Sequence, residues 1–320
     1  MDDIKVSIHC LCYNLEDYIA EALESMLNQK TDFAYEILVH DDASSDRSVE
    51  IIRDYAGRYP DKIKLVLQTV NQFTQGVDIF RTHLYPLSKG KYIAICDGDD
   101  CWCCEDKLQL QYDFLETHPE CILVACNSER IRTDGSKIEN VVKTPGSRYL
   151  TMREMINKDV SVPQTSSFMF RASYFQHDFP QWFYKTAYDN RFRLSMATLG
   201  KVYYIDKVMA KYRMMVKGSY SMAIRRDIAR SRQLQQDAIE FFEHYNEFTD
   251  FQYAEYINKE LARRKVAISI MNEEYRSAIE IYKTEKPKLA VRTRLIMTLG
   301  NYFPGILSVM KNMRDKFFST

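Results

Sequence analysis

Apolar and polar positions alternate regularly along the first hundred residues of the chain. Four short runs rich in strand-forming residues are separated by longer segments in which apolar residues recur every three or four positions. The short runs predict buried strands, and the longer spacing predicts amphipathic helices. The predicted strands cover residues 5–12, 35–40, 62–68 and 91–96.

Helical stripes lie between these strands. We expect Asn14 to cap the first helix, with Asp17 in its first turn. Near-continuous apolar strands between amphipathic helices predict an α/β fold whose mostly parallel sheet is covered on both faces. The three stripes consist of Ile19, Ala22, Leu23, Met26 and Leu27, then Val49, Ile52, Tyr55 and Ala56, then Val77, Phe80, Leu84 and Leu87.

Beyond residue 120 the pattern is less regular. Residues 121–126 and 166–170 are strand-like, and residues 187–200 predict a helix. Two apolar runs within residues 201–213 predict two short strands.

The chain is predicted to be helical from residue 223 to its end. Residues 217–222, with Gly218 and two serines, are typical of a boundary. We therefore predict an α/β domain over residues 1–220 and a helical region over residues 221–320.

Polar residues follow the predicted strands. Ligands of open α/β sheets bind beyond the carboxyl ends of the strands, so these residues predict where a functional site lies. No GxGxxG or Walker A motif follows any strand, which argues against dinucleotide oxidoreductases and P-loop NTPases. The residues at these ends are Tyr13 and Asn14, Asp41 and Asp42, Asn71 and Gln72, and Asp97 to Asp100.

The DGDD sequence at residues 97–100 is the strongest chemical signal. Its carboxylates repel one another unless a cation is present, and Mg²⁺ or Mn²⁺ prefers such oxygen ligands while keeping positions for phosphate. A nucleotide diphosphate would supply the remaining ligands, and the metal would stabilise a departing diphosphate. The alternative is a solvated acidic turn that caps a helix.

Composition narrows the class of protein. Lys plus Arg and Asp plus Glu each total 44, so the formal net charge is zero, which excludes a nucleic-acid binder that works through overall charge. Hydrophobic residues make up 46%, enough for a packed core. No apolar run approaches the roughly 18 residues that span a bilayer, and the N-terminus lacks a basic start. We expect a soluble cytoplasmic protein.

All eight cysteines lie within the first 126 residues. Without an export signal, reduced thiols are expected rather than a disulfide framework. Cys101 and Cys104 form a CxxC motif that Cys96 and Cys121 would have to complete, because the second CxxC of a zinc ribbon is missing. A zinc-stabilised interaction module around this cluster stays open as a non-catalytic alternative.

Several segments carry motifs that match a known family in order and spacing. They are VSIHCLCYN (6–14), EILVHDDASSD (36–46), GKYIAICDGDDCW (90–102), KL (107–108), SSFMFR (166–171) and VMAKYR (208–213). Together they resemble family 2 glycosyltransferases of the bacterial surface-polysaccharide type. The resemblance covers residues 4–220 and implies the GT-A fold and inversion of the anomeric centre as a sugar leaves a nucleotide diphosphate.

The resemblance also implies roles for individual residues. Asp42 resembles the aspartate that accepts a hydrogen bond from the base, and Tyr13 lies where the base is contacted. A carboxylate suits the N3–H of uracil, and an aromatic face suits stacking. Asp97 and Asp99 resemble the DxD pair that meets the nucleotide diphosphate and a Mn²⁺ or Mg²⁺ ion, with Asp99 or Asp100 as the direct metal ligand.

Trp102 resembles the family aromatic after this motif, which lines the donor or acceptor pocket. Simple packing is the alternative for Trp102 and for Tyr13. For Asp42 the alternative is loop solvation and capping of the next helix.

Asp189 is the candidate general base. Inverting transfer needs one carboxylate to take the acceptor hydroxyl proton as that oxygen attacks opposite the leaving group. As an isolated residue Asp189 would be interpreted as a helix cap, and the catalytic role comes from the resemblance alone. Many relatives carry a metal-ligating His shortly after the Tyr-Arg pair, but here Tyr212 and Arg213 are followed by Met214.

Residues 286–320 differ from the rest of the chain. Seven Lys or Arg residues stand against the single acid Asp315, which gives a net charge of +6, and apolar residues are interleaved with them. A basic amphipathic segment of this kind is typical of proteins that lie on an anionic membrane surface. The alternative is a helix pair that caps the domain or forms a homodimer.

The sequence therefore predicts a metal-dependent inverting glycosyltransferase. The expected donor is a UDP-sugar, and the expected acceptor is a glycan or a lipid-linked molecule at the inner face of the membrane. A sugar nucleotidyltransferase is the enzymatic alternative. Residues 13–18 lack the Gly-rich basic loop that such an enzyme uses to hold a triphosphate.

Overall fold

The computed structural model of the chain describes residues 3–157, 162–185, 188–216 and 227–306. These residues form two units. The first comprises residues 3–155, 162–180 and 191–216, and the second comprises residues 156–157, 181–185, 188–190 and 227–306. The predicted boundary at residues 217–222 lies outside the described residues.

A ten-stranded sheet forms the centre of the first unit. Its main path has the order β3-β2-β1-β4-β9-β6-β10-β5, while β7 pairs with β6 and β8 with β10. The strands are β1 (Ile4–Cys12), β2 (Ala34–Asp41), β3 (Ile63–Leu67), β4 (Tyr92–Ile95), β5 (Cys101–Trp102), β6 (Cys121–Ile131), β7 (Lys137–Asn140), β8 (Arg148–Tyr149), β9 (Phe168–Arg171) and β10 (Lys201–Arg213).

The first four strands confirm the predicted parallel arrangement. β1 pairs in parallel with β2 and β4, and β2 pairs in parallel with β3. β9 is inserted between β4 and β6 and runs antiparallel to both. β10 is again parallel to β6. The sheet is therefore mixed, with its parallel part at the beginning of the chain.

Residues 201–213 form one strand, where the sequence predicts two. β10 pairs with β6 along its length, but the register shifts between Ile205 and Ala210. The exposed Asp206 and Lys207 interrupt the apolar pattern at this point. A strand irregularity accommodates these two residues without ending the strand. The prediction was wrong because a bulge and a turn break local periodicity in the same way.

The helices follow the predicted order. Ile19, Ala22, Leu23 and Met26 of the first stripe are fully buried, which confirms the predicted face. The helices are α1 (Ile19–Leu27), α2 (Ser48–Arg58), α3 (Lys107–Thr117), α4 (Met152–Asn157), α5 (Tyr188–Leu199), α6 (Ile228–Phe248), α7 (Ala254–Met271), α8 (Tyr275–Glu285) and α9 (Val291–Tyr302).

Asn14 does not cap α1. Its φ is 54°, in the left-handed region that asparagine tolerates, and its Oδ1 accepts a hydrogen bond from the Ser45 amide at 2.8 Å. A turn closed by the Tyr18 amide and the Leu15 carbonyl precedes the helix. Helix α1 therefore begins at Ile19, and the expected place of Asp17 in its first turn was wrong.

The third predicted helix folds as two shorter turns. Phe80–Leu84 form a π-helical turn, and Tyr85–Leu87 form a 3-10 turn that contains Pro86. Proline lacks the amide hydrogen that an α-helix needs and favours such a change. Phe80 and Leu84 are nevertheless buried, so the periodicity predicted the buried face correctly and the helix type wrongly.

Both faces of the parallel strands are covered, as predicted. Alternate residues of a strand point to opposite faces. On one face Val6 and Ile8 belong to a buried cluster that includes Leu23 of α1. On the other face the His9 ring lies 5.8 Å from the ring of Phe80.

Helices α6 to α9 belong to the second unit. Val266 of α7, Ala278 of α8 and Met297 of α9 form a buried cluster. The Tyr275 ring lies so close to Gly300 that a Cβ atom added there would be 2.4 Å from it. Among the described residues, no helix combines the length and the apolar character needed to cross a bilayer.

Candidate functional site

The loops after β1, β2 and β4 lie side by side at one edge of the sheet. β1 is the central strand of the three. The Asp42 amide donates to the Cys12 carbonyl at 2.9 Å, and the Gly98 amide donates to the Leu11 carbonyl at 2.9 Å. The structure thus brings together the strand ends that the sequence predicts as a site.

The acidic turn at residues 97–100 depends on its glycine. A Cβ atom at Gly98 would lie 2.9 Å from the Leu11 carbonyl oxygen and 2.9 Å from the Ile19 side chain. The Asp100 amide closes the turn by donating to the Asp97 carbonyl at 2.9 Å. The turn therefore packs directly on the end of β1 and the start of α1.

Asp100 is the buried member of the turn. Its carboxylate accepts a hydrogen bond from the Ser166 hydroxyl at 2.6 Å and another from the Arg213 amide at 2.9 Å. Burial raises the pKa of Asp100 well above its usual range, and the charges of Asp99 and Asp97 raise it further. Asp100 thus ties the turn to two distant parts of the chain.

Arg213, the last residue of β10, forms hydrogen bonds with the same turn. Its backbone binds Asp100, its Nε donates to the Asp99 carbonyl at 3.1 Å, and its Nη2 pairs with Glu21 at 2.5 Å. The Arg213 side chain is 4% exposed and that of Glu21 is 52% exposed. The sequence reasoning gave Arg213 no role, although it lies in the quoted VMAKYR motif.

Asp97 and Asp99 are the partly exposed carboxylates of the turn. Burial raises the pKa of Asp99, and the nearby Arg213 opposes this shift. Among the described residues, no three His, Cys, Asp or Glu side chains are grouped so that they could enclose a metal ion. Magnesium is commonly bound by one or two carboxylates together with substrate phosphates. Two partly exposed carboxylates in a crowded acidic turn fit that arrangement.

Asp41 is the last residue of β2, Asp42 follows it, and both are buried. Asp41 accepts hydrogen bonds from the amide and the hydroxyl of Ser44 at 3.0 and 2.5 Å. Asp42 accepts hydrogen bonds from the amides of Gln72 and Phe73 at 2.6 and 3.0 Å. Both carboxylates therefore organise neighbouring loops.

Tyr13 and Trp102 have different environments. Tyr13 is 44% exposed at the strand end. Trp102 is buried, its Nε1 donates to the Ser166 carbonyl at 2.8 Å, and the Lys107 Nζ lies 4.2 Å from the centre of its ring. Lys107 is itself buried, and this burial lowers its pKa. Trp102 is thus linked to the acidic turn through Ser166, whose hydroxyl donates to Asp100.

Asp189 lies in helix α5, as the sequence predicts. Its side chain is outside the described part of the structure. Its role as general base therefore stays a prediction.

The cysteines do not form a shared centre among the described residues. Cys101 is buried and its thiol contacts a Glu21 carboxylate oxygen at 3.3 Å, while Cys103 is exposed and Cys104 is half-buried. The absence of a group of three metal-binding side chains within residues 3–157, where all eight cysteines lie, counts against the zinc module.

Two buried histidines were missed by the sequence reasoning. Burial lowers the pKa of His9 to about 3 and that of His40 to about 4. The His40 ring lies 5.4 Å from the ring of His83, and within the described residues neither of its ring nitrogens has a hydrogen-bond partner. The sequence signal that could have identified them is a histidine inside an otherwise apolar strand, His9 in β1 and His40 in β2.

The sequence profile of Glycosyl transferase family 2 matches residues 7–179, more than half of the chain. An uncharacterized protein of Mycobacterium tuberculosis, Rv1520, is 30% identical over 224 residues, which are 68% of this chain and 61% of that protein. The chain thus spans less than two thirds of the length of that relative.

Two solved structures share the fold. TarS of S. aureus, in complex with UDP-GlcNAc, has a TM-score of 0.56 at 16% identity, and the match covers 88% of this chain and 90% of that one. The mannosyltransferase PcManGT from Pyrobaculum calidifontis, in complex with GDP-Man and Mn²⁺, has a TM-score of 0.56 at 17% identity over 99% of this chain and 91% of that one. The fold is GT-A with a helical C-terminal region, and the chain belongs to glycosyl transferase family 2.

Proposed function

We propose that the protein transfers a sugar from a nucleotide diphosphate to a hydroxyl group of an acceptor, with inversion and with the help of a divalent metal. The observation that carries this proposal is the convergence of three polar loops at one edge of the sheet, after β1, β2 and β4. Family membership supports the same reaction class.

The donor side of the site is proposed to consist of Tyr13, Asp42 and Asp97. Each Asp42 oxygen accepts one hydrogen bond from the 72–73 backbone, and a carboxylate oxygen has a second lone pair for the N3–H of uracil. The exposed Tyr13 ring is available for stacking on a base. These features favour a UDP-sugar, and the solved relatives are bound to UDP-GlcNAc and GDP-Man.

Asp97 and Asp99 are proposed to hold a Mn²⁺ or Mg²⁺ ion. When bound, such an ion would neutralise charge on the donor diphosphate as it becomes the leaving group. Asp100, the third predicted ligand, accepts hydrogen bonds from Ser166 and Arg213. We therefore propose that Asp100 positions the turn rather than binding the metal. Trp102 is buried and its Nε1 donates to the Ser166 carbonyl, and its place in a donor or acceptor pocket stays part of the proposal.

Asp189 is proposed as the general base that removes the proton of the acceptor hydroxyl. The support is its position in α5 and its place in the family pattern. We expect Asp189→Asn to keep donor binding and to lose transfer, because the amide cannot accept the proton.

The experiment is a panel of nucleotide sugars tested with and without Mn²⁺. We expect one UDP-sugar to raise the melting temperature in a metal-dependent way and to release UDP in the presence of acceptor. Release of pyrophosphate from a nucleoside triphosphate would instead indicate a nucleotidyltransferase. A panel that gives neither stabilisation nor turnover with metal present would overturn the proposal.

The acceptor is proposed to be a glycan or a lipid-linked precursor of a surface polysaccharide, used at the inner face of the membrane. The basic character of residues 286–320 supports this location. Separation of membrane and soluble fractions, with and without residues 286–320, tests it. Equal distribution of the two forms would contradict it.

A further inference from the structure

Helix α9 has apolar residues on two opposite faces. Met297 and Gly300 are buried on the face that meets α8. Val291, Leu295 and Tyr302 are 73%, 50% and 61% exposed. Because a helix has about 3.6 residues per turn, positions 291, 295 and 302 fall on one face, opposite the buried one.

Cations flank this exposed stripe. Arg292 and Arg294 lie on its two sides by the same helical spacing, and both are exposed. Phe303 and Ile306, just after the helix, are 55% and 53% exposed and extend the apolar surface. An exposed apolar stripe with one arginine on each side matches the boundary between headgroups and acyl chains.

Acidic residues are missing from this part of the sequence. Residues 286–306 contain Lys286, Lys288, Arg292 and Arg294 and no Asp or Glu. By contrast α8, which packs on α9, carries Glu280 and Glu285. In a two-fold contact of this face with its copy, the same cations would oppose each other, whereas an anionic bilayer supplies an acidic complement directly.

We propose that the exposed face of α9, formed by Val291, Leu295 and Tyr302 with Arg292 and Arg294, binds the surface of an anionic membrane. The helix lies in the plane of the surface, inserts its apolar stripe between headgroups and directs its two arginines to lipid phosphates. This proposal names the surface by which the protein would reach the membrane. It depends on the proposed function in one respect, which is the use of a lipid-linked acceptor.

The test is cosedimentation of the full chain with vesicles. One set contains phosphatidylglycerol mixed with phosphatidylcholine, and the other contains phosphatidylcholine alone. We expect binding to the anionic set only. Binding should weaken as salt rises from about 0.1 M to about 1 M, because the screening length falls from roughly 10 Å to 3 Å.

Paired substitutions locate the surface. Removing both charges in Arg292→Gln with Arg294→Gln should weaken binding to anionic vesicles by about 30-fold. Leu295→Ser should weaken it by about tenfold through the loss of apolar insertion. The matched controls are Arg276→Gln on α8 and Ile228→Ser on α6, which are also exposed and should bind like the wild type.

The readouts separate this proposal from the proposed function. Vesicle binding needs no donor, metal or turnover, so loss of activity with intact binding would affect the transferase proposal alone. All variants should keep the wild-type melting temperature because the changed side chains are exposed.

Three results would overturn the assignment. They are failure of the wild type to bind anionic vesicles, equal binding by the α9 variants, and concentration-dependent dimerisation that Leu295→Ser abolishes while vesicles are not bound.

Discussion

Two acidic loops meet at the same edge of the sheet and use their carboxylates differently. At the end of β2, Asp41 and Asp42 are both buried and bind nearby backbone and hydroxyl donors. In the turn after β4, Asp100 binds donors from distant segments, while Asp99 stays partly exposed. The comparison teaches that the number of carboxylates at a strand end does not measure how many can meet a ligand.

The largest expected effect comes from Asp99, one of the two partly exposed carboxylates of the turn. Asp99→Asn should reduce metal-dependent transfer by roughly 10²–10³-fold, because it removes a charge that we propose to hold the metal and, through it, the diphosphate. Its free energy of unfolding should stay the same or rise, since a crowded charge is removed. Initial rates and urea unfolding measure the two effects. Retention of more than a tenth of the activity would contradict this assignment.

Substitution of Asp100, the buried carboxylate of the turn, should instead lower the stability of the protein. Asp100→Ala leaves the Ser166 hydroxyl and the Arg213 amide without their acceptor, and should lower the free energy of unfolding by about 3 kcal/mol. Urea unfolding is the measurement, with Asp99→Ala as the matched control. Equal losses in the two variants would remove the distinction between them.

The end of β2 should add a pH dependence that comes from a buried histidine, whereas the turn after β4 holds carboxylates whose pKa values are raised. His40 directly precedes Asp41, whereas Ile95 and Cys96 precede the second loop. Burial lowers the pKa of His40 to about 4, while the unfolded chain binds the proton with a pKa near 6.5. Because the unfolded state binds more protons in this window, stability is greatest above pH 6.5 and falls on acidification.

The expected loss between these pKa values is about 1.4 kcal/mol per pH unit for each such histidine. Denaturant unfolding of the wild type and His40→Gln between pH 6.5 and 4 measures it. The variant should have a slope shallower by about that amount. Parallel pH profiles would show that folding does not change the pKa of His40.

The smallest expected effect concerns the loop bonds of Asp42. Asp42→Asn replaces one accepting oxygen by a donor, so the amide of Gln72 or Phe73 loses its partner. The cost should be about 1 kcal/mol, because the donors belong to the half-buried Gln72 and the exposed Phe73, where solvent can replace the lost partner. The corresponding fall in melting temperature is about 2–4 °C, measurable by calorimetry. An unchanged value would mean that the loop bonds contribute nothing.

The strands near the start of the chain were predictable because a buried parallel strand is a short, nearly continuous run of apolar residues. β2 begins at Ala34 and ends at Asp41, one residue beyond the predicted 35–40 at each end. The start of α1 was not predictable in this way. Its position depends on the Leu15 amide, which donates to the Ser48 hydroxyl 33 positions away.

Which strand ends come together was predictable, and the different environments of the carboxylates there were not. Strand ends and charge crowding indicated Asp97, Asp99 and Asp100 together. The partners that separate Asp100 from the other two, Ser166 and Arg213, lie 66 and 113 positions away. Contacts between residues so far apart do not appear in the local sequence pattern. The structure is therefore needed to distinguish Asp100 from Asp97 and Asp99.

The bond between Arg213 and the acidic turn has a consequence for the order of assembly. Closing a loop of 113 residues is slow compared with forming adjacent strand pairs. During synthesis, β1, β2 and β4 emerge from the ribosome long before β10. The DGDD turn of a nascent chain therefore lacks its hydrogen bonds with Arg213. The acidic turn should therefore become ordered late, and protection of its amides from hydrogen exchange should arise only after β10 has joined the sheet.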